Sequence, residues 1–263
     1  MKTSKTEPRL LCYDLGEGVT AFSTTRHGGV SEANYASFNI NPYCGDSADH
    51  VARNRQLLAD RLGLPASHIV LPHQVHGIEH RAVASELLDM SDAVRDKILD
   101  GVDMVTTSMT GVCIGVSTAD CIPVLLYDPV ARATAAIHAG WRGTLQRICQ
   151  RAVMAMQLHY GTTPDRLRAV VGPGISLANF EVGQEVYDQF LQAGFDLTET
   201  AEWHTKWHLD LPGINIRELI GCGVAPEHIH HAGICTFDHA DDYFSARRLG
   251  IDSGRIYTGI LMR

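Results

Sequence analysis

Residues 112–144 read VCIGVSTADCIPVLLYDPVARATAAIHAGWRGT. The string holds three short, largely apolar runs, Val112–Ser117, Pro123–Tyr127 and Ala133–His138. They are bounded by turn residues and lack the three-to-four-residue spacing of an amphipathic helix. Such runs predict buried strands of a central sheet. Two junctions place a reactive side chain where an apolar run meets a tight turn. These are Ser117-Thr118-Ala119-Asp120-Cys121-Ile122-Pro123 and Ile137-His138-Ala139-Gly140-Trp141-Arg142-Gly143-Thr144. Upstream, Leu71-Pro72-His73-Gln74-Val75-His76-Gly77 has the same grammar. Strand ends are where a rigid scaffold presents functional groups, because the sheet fixes position and the loop gives access.

Working outward, Thr20–Thr24 predicts a strand running into the glycine turn Arg26-His27-Gly28-Gly29. Ala48–Leu62 predicts a helix with Val51, Leu58, Ala59 and Leu62 on one face, stopped by Gly63. His68–Val75 reads as an apolar strand, and Leu167–Val171 as another, ending in Gly172-Pro173-Gly174. Leu145, Ile148, Cys149, Ala152 and Met156 predict a helix over Leu145–Leu158; Val182–Leu191 and Ile214–Ile220 predict two more. Asp196–Asp210 shows no clean period and reads as a loop or lid. His204 and His208 share a face only if that stretch is helical, which the pattern does not support. No linker, repeat or low-complexity tract divides the chain, so one domain of mixed helices and strands over residues 1–263 is expected. Strand order stays open.

Composition removes several function classes. The 263 residues carry 22 Lys+Arg against 30 Asp+Glu, a net charge of −8. An acidic protein is a poor partner for nucleic-acid backbones, which are read by stripes of Lys and Arg. The seven cysteines include no C-x-x-C pair, which argues against zinc-ribbon and thioredoxin motifs. The start, MKTSKTEPRLLCYDL, lacks the apolar stretch of a secretory leader. The longest apolar run, Ile122–Tyr127, is far too short to cross a bilayer. A reduced cytoplasm and no membrane partner are the expectations.

If the three strand ends converge, they bring together His76, Cys121 and His138. Two imidazoles and a thiolate form a zinc shell with a fourth position left open, the pattern of a catalytic rather than a structural site. The plainer reading is that Cys121 is a small core residue and each histidine a satisfied structural one. The spacings, 45 residues and then 17, are unspecific by themselves. Asp120 reads as a carboxylate that orients a ligand histidine, or as a turn cap. Gly140-Trp141-Arg142-Gly143-Thr144 before a helix, and Arg26-His27-Gly28-Gly29, are candidate anion-binding loops; the plainer reading of each is a glycine turn with a solvated arginine. Glu227-His228-Ile229-His230-His231 reads as a surface turn.

Three strings together are more informative. Gln74-Val75-His76-Gly77, Thr118-Ala119-Asp120-Cys121-Ile122-Pro123-Val124-Leu125-Leu126 and His138-Ala139-Gly140-Trp141-Arg142-Gly143 closely resemble the signature of the YfiH family, long labelled multicopper polyphenol oxidoreductase or laccase domain. The likeness runs through Phe22-Ser23-Thr24-Thr25-Arg26, Asn39, Gly45-Asp46, Asn54-Arg55, Gly172-Pro173-Gly174-Ile175, Phe180-Glu181-Val182-Gly183 and Phe244-Ser245-Ala246-Arg247-Arg248. Two departures are Ala246, where an aromatic residue is expected, and Ser253-Gly254-Arg255 in place of Thr-Gly-Arg. The resemblance implies an α+β fold, a single-domain four-layer α/β/β/α sandwich, with zinc (copper as the substitute) on His76, Cys121 and His138. It implies phosphorolysis of adenosine, inosine, guanosine and methylthioadenosine, with adenosine deamination in the same pocket. Purine nucleoside and phosphate are then the partners. Cys121, His138 and Asp120 would serve catalysis; Arg26, Asn39, His73 and Arg142 would bind substrate.

Three other functions are weighed against this one. A copper polyphenol oxidase shares the His2Cys donor set, but four-electron reduction of dioxygen calls for several more histidine sets. A Cys121/His138 hydrolase, acting as a peptidoglycan-precursor editing factor, needs no metal. A binding module without catalysis is the last.

Overall fold

The computed structural model describes residues 6–263; Met1–Lys5, which open the stretch read above as lacking a leader, lie outside the described residues. In chain order the first strands are β1 (Leu10–Tyr13), β2 (Val19–Thr24), β3 (Ile69–Val70), β4 (Glu79–Ala82), β5 (Val102–Thr107), β6 (Cys113–Thr118) and β7 (Ile122–Asp128). They continue as β8 (Ala133–Ala139), β9 (Arg168–Val171), β10 (Glu181–Val182), β11 (Ala201–Trp203), β12 (Trp207–Leu209), β13 (Ile229–His231) and β14 (Ile256–Met262). The helices are α1 (Ala48–Leu62), α2 (Ser85–Asp89), α3 (Asp92–Leu99), α4 (Trp141–Leu145), α5 (Ile148–Tyr160), α6 (Gln184–Gln192), α7 (Leu211–Gly221) and α8 (Ala246–Leu249).

One sheet runs β1-β2-β14-β6-β3, a second β13-β9-β7-β8-β5-β4, and a small third β10-β12-β11. The strands β5, β6, β7, β8 and β14 are buried along their whole length, which is why all but β5 (VDMVTT) read as largely apolar runs. Side-chain alternation sorts the core into layers. Ile114, Val116 and Ile260 of the first sheet share a cluster with Leu125, Ala136 and Val170 of the second. On the far side of the first sheet, Phe22, Tyr257 and Leu261 pack with Leu58, Ala59 and Leu62 of α1. On the far side of the second, Val124, Leu126, Ile137 and Val171 pack with Ile148, Ala152 and Val153 of α5 and Leu211, Ile214 and Leu219 of α7. Helix, sheet, sheet, helix is the resulting order, in an α+β fold of the expected class.

Several elements differ from the sequence expectation, each for a local reason. The helix expected from Leu145 begins at Ile148, because Arg147 takes a left-handed backbone (φ 59°) and breaks α4 from α5. Its guanidinium is tied to Glu218 and the Ala193 carbonyl. Of the strand expected over His68–Val75, the two residues of β3 pair with β6. Beyond them Pro72 has no N–H to give, and the chain peels away. The helix expected over Val182–Leu191 begins at Gln184, with Gly183 as its cap. The expected loop Asp196–Asp210 contains the β11–β12 hairpin, antiparallel to β10. Helix α1 has the expected bounds, closed by left-handed Gly63 (φ 69°). Among the described residues no helix is long and apolar enough to cross a membrane.

One half-buried base on β4 makes the fold acid-sensitive. His80 Nε2 lies 2.8 Å from Thr106 Oγ1, which is 3.0 Å from the Tyr160 hydroxyl. Burial, with His159 nearby, pushes the His80 pKa down from 6.5 to about 4. Between those values the unfolded chain binds a proton that the folded chain refuses, so stability falls as pH drops through that window. His80→Gln is expected to reduce the slope of the urea midpoint against pH there. An unchanged slope contradicts the assignment.

Candidate active site

The start of β7, the end of β8, the end of β6 and the turn after β3 meet at one edge of the two sheets. There His76, Cys121 and His138 converge, with one ligand atom from each lying within 4.8 Å of the others. The two imidazoles stand edge to face, with ring centroids 4.8 Å apart. Pairing of Pro123 with His138 across β7 and β8 sets Cys121 beside the end of β8. Gly140 keeps the meeting point open, since a Cβ there would lie 3.0 Å from both Cys121 Sγ and His76 Cδ2.

Asp103, fully buried on β5, organises the group. Its Oδ1 accepts from His138 Nδ1 at 2.7 Å and from the His76 N–H at 3.0 Å; Oδ2 accepts from the N–H groups of Gly77 (2.7 Å) and Val75 (3.2 Å). One carboxylate therefore fixes the ring of one histidine and the backbone of the other. Because Nδ1 of His138 donates to it, Nε2 is the nitrogen turned to Cys121 and the one a metal ion would take in exchange for its proton. His76 itself has φ 63°. A left-handed backbone costs a non-glycine residue roughly 1–2 kcal/mol, which the three N–H bonds to Asp103 offset. The sequence reading missed Asp103. The signal was a lone carboxylate inside the buried run Val102-Asp103-Met104-Val105, where a charge has to be paired.

The electrostatics are those of a coupled thiolate and imidazolium. Burial pushes the Cys121 thiol up, but the charge and hydrogen bonds of His138 and His76 outweigh it and the pKa ends below the ordinary value. For His138, burial lowers the pKa, and the Cys121 thiolate together with Asp103 raises it well above the ordinary value. Burial acts against ionisation of Asp103, and His138 with the Gly77 and Val75 N–H groups more than compensates, leaving the carboxyl below its usual range. The thiolate is thus preformed as a metal ligand. Two histidines, a thiolate and a carboxylate behind one imidazole are a donor set that suits a zinc ion.

A cavity of about 200 Å³ opens over the three residues. Gln74 ties its wall together, accepting from the Ser117 N–H (2.8 Å) and donating to the Ser117 carbonyl (2.9 Å). Asn41 donates to Ser117 Oγ at 2.5 Å. At the rim the rings of Tyr43 and His73 stack at 4.3 Å, and His73 Nδ1 is 2.7 Å from Asp100 Oδ1. Cys44, Thr118, Ala119, Ala246, Ile251 and Arg255 complete the lining. Thr118 Oγ1 is buried without a hydrogen-bond partner among the described residues.

The other expected site residues lie elsewhere. Asp120 does not line the cavity: its two oxygens hold Thr236 Oγ1 and the Arg247 N–H at 2.7 Å each, pinning the wall behind Cys121. Arg26 donates to the Ala36 and Ala240 carbonyls. Asn39 is fully buried, bonded to Asp46, Asn41 and the Arg255 N–H. Arg142 is exposed, with its guanidinium 4.3 Å over the Trp141 ring, and α4 has five residues. Neither arginine loop faces the cavity, because each guanidinium is engaged locally. Of the two departures from the family signature, Ala246 lines the cavity and leaves room where an aromatic is expected. Ser253 is buried and donates to the Gly250 carbonyl, a bond that threonine would also make.

Known proteins resemble this chain along nearly its whole length. The family model for multi-copper polyphenol oxidoreductase laccase matches residues 20–263. A purine nucleoside phosphorylase of Bacteroides thetaiotaomicron is 44% identical over 262 residues, covering 97% of each chain. Adenosine deaminase RL5, from an unknown prokaryotic organism, is 40% identical over 93% of this chain and 94% of its own. Among solved structures, the hypothetical protein YfiH of Bacillus licheniformis superposes with a TM-score of 0.90 at 28% identity, covering 97% of each chain. With its matched span, its fold and its converged His-Cys-His group, the chain belongs to the multi-copper polyphenol oxidoreductase laccase family of YfiH-type proteins.

Proposed function

We propose that the protein is a zinc-dependent purine nucleoside phosphorylase that also deaminates adenosine. The observation that carries this reading is the convergence of His76, Cys121 and His138 beneath a cavity with a hydrogen-bonded imidazole at its rim. The names of the relatives at 44% and 40% identity support the substrate class. Zinc, when held by the three residues, supplies Lewis acidity towards water or a substrate oxygen. Asp103 keeps His138 oriented and its Nε2 available. His73, with Nδ1 on the Asp100 carboxylate, presents Nε2 as the proton carrier. In phosphorolysis the C1′–N9 bond breaks, a phosphate oxygen bonds C1′, and His73 gives the departing base its proton. In deamination water replaces the C6 amino group, and ammonia leaves with a proton from the same imidazole. Thr118 Oγ1 is the polar group proposed to face ribose, and Tyr43 presents a ring to the base; Arg255 borders the cavity with its guanidinium held by the Ser253, Gly254 and Ile251 carbonyls.

One converging set of donors at the cavity favours a single ion there, whereas a laccase reduces dioxygen with several coppers held together. Copper binds such ligands more tightly than zinc and would compete for the site. The lowered Cys121 pKa favours a second reading, a metal-free Cys/His hydrolase. Chelation separates the two. It abolishes turnover if zinc is required and spares it if Cys121 is the nucleophile.

The deciding assay is product identification from adenosine with and without phosphate. Adenine formed only with phosphate, and inosine in either case, is the expected result; no turnover by zinc-loaded protein overturns the reading. Cys121→Ala is expected to lose both zinc and activity, and a variant that keeps both removes the proposed shell. Asp103→Asn should weaken zinc about 10- to 100-fold, read by competition with a chelator. His73→Gln should lower kcat by about 100-fold or more while leaving bound zinc unchanged; full activity would reassign the proton carrier.

A further inference from the structure

The small sheet β10-β12-β11 has two unlike faces. One carries Trp203 and Trp207, with Tyr187 of α6 stacked on Trp207 at 3.7 Å. The other carries Glu202 and His208, directly opposite each other across the hairpin, and His204 at the turn. We propose that Glu202, His204 and His208 form a second metal site, for a borderline divalent ion such as Zn2+, separate from the group at His76, Cys121 and His138.

Four observations carry this. The His204 and His208 rings are 4.9 Å apart at 85°, nearly the separation of His76 and His138, at 4.8 Å and 67°. His204 Nε2 lies 3.4 Å from Glu202 Oε2. Two donors about 2.1 Å from one tetrahedral ion stand about 3.4 Å apart. His208 Nδ1 is 3.0 Å from the Leu177 carbonyl. A carbonyl can only accept, so Nδ1 carries the proton and Nε2 is left as the lone-pair donor, the arrangement typical of ligand histidines. Lys206, the neighbouring cation, is held by Glu181 at 2.7 Å. The cluster borders a cleft of about 800 Å³ lined also by Ser176, Leu177 and Ala178.

The donors converge less closely here than at His76, Cys121 and His138, and closing the site takes a rotation of exposed side chains. Glu202 and His204 are 58% and 57% exposed, so they are free to turn. With no thiolate and full access to water, this site binds more weakly than the first. An ion here ties the hairpin to the Leu177 loop. That loop continues back to Ile175, whose N–H bonds the Asp120 carbonyl next to Cys121.

The test is a calorimetric titration of Zn2+ into untagged, full-length protein stripped by chelator. Wild type is expected to take up a tight equivalent and then a weaker second one. His204→Ala and His208→Ala should each weaken the second about tenfold or more and leave the first. Cys121→Ala should abolish the first and keep the second, so the two proposals fail independently. Absence of a second equivalent in wild type, or its persistence in the histidine variants, overturns the proposal. His204 is exposed at a turn, so His204→Ala decides the matter even if His208→Ala does not fold.

Discussion

The Asp103 carboxylate sits fully buried in a strand and is held by four hydrogen bonds, from His138 Nδ1 and from the N–H groups of Val75, His76 and Gly77. A buried carboxylate without partners is among the costliest features a fold can carry. Here the partners are the His76 turn and the His138 ring on β8. The His76 turn closes around the carboxylate through three N–H groups, and the His138 ring is fixed because Oδ1, which also accepts from His76, binds its Nδ1. Losing the carboxylate would strand buried donors at roughly 1–3 kcal/mol each. Stability and ligand geometry therefore depend on one residue.

Charge follows from the same constraint. Negative Asp103 on one side and the thiolate of Cys121 on the other keep His138 protonated in the metal-free protein. A cation placed between the thiolate and the imidazole replaces that proton. Strained backbone is concentrated at the same edge: His76 (φ 63°) and Asp120 (φ 84°) are left-handed, and each flanks or supplies a ligand. Both are held by hydrogen bonds that over-determine the turn, His76 through Asp103 and Asp120 through Thr236 and Arg247. Strain kept in place this way marks positions where geometry matters more than local preference.

The basic loops illustrate how a plausible motif is absorbed by packing. Arg26 follows a strand and precedes two glycines, and Arg142 sits between glycine and helix, both patterns suited to an anion. In the fold the Arg26 guanidinium bonds two backbone carbonyls, and Arg142 lies over Trp141. The cavity instead takes its polarity from Gln74, Ser117, Thr118, His73 and Arg255. None of these belongs to a recognisable anion-binding string, because they are gathered from three separate segments.

By itself the sequence determined the strands whose burial makes them uniformly apolar, helix α1 with its Gly63 stop, and the three loops that end in His76, Cys121 and His138. These are local properties, set by apolar periodicity, turn residues and the family's ordered strings. Tertiary structure alone decided the rest. Strand order depends on pairings between segments as distant as β2 and β14, which no periodicity encodes. The break at Arg147 depends on Glu218 and Ala193, far along the chain. His204 and His208 come together through hairpin pairing with a register that their aperiodic stretch does not announce. Asp103 acquires its meaning only when β5 lies beside β8 and the His76 turn folds over it, because a carboxylate is a liability or an organiser according to what surrounds it.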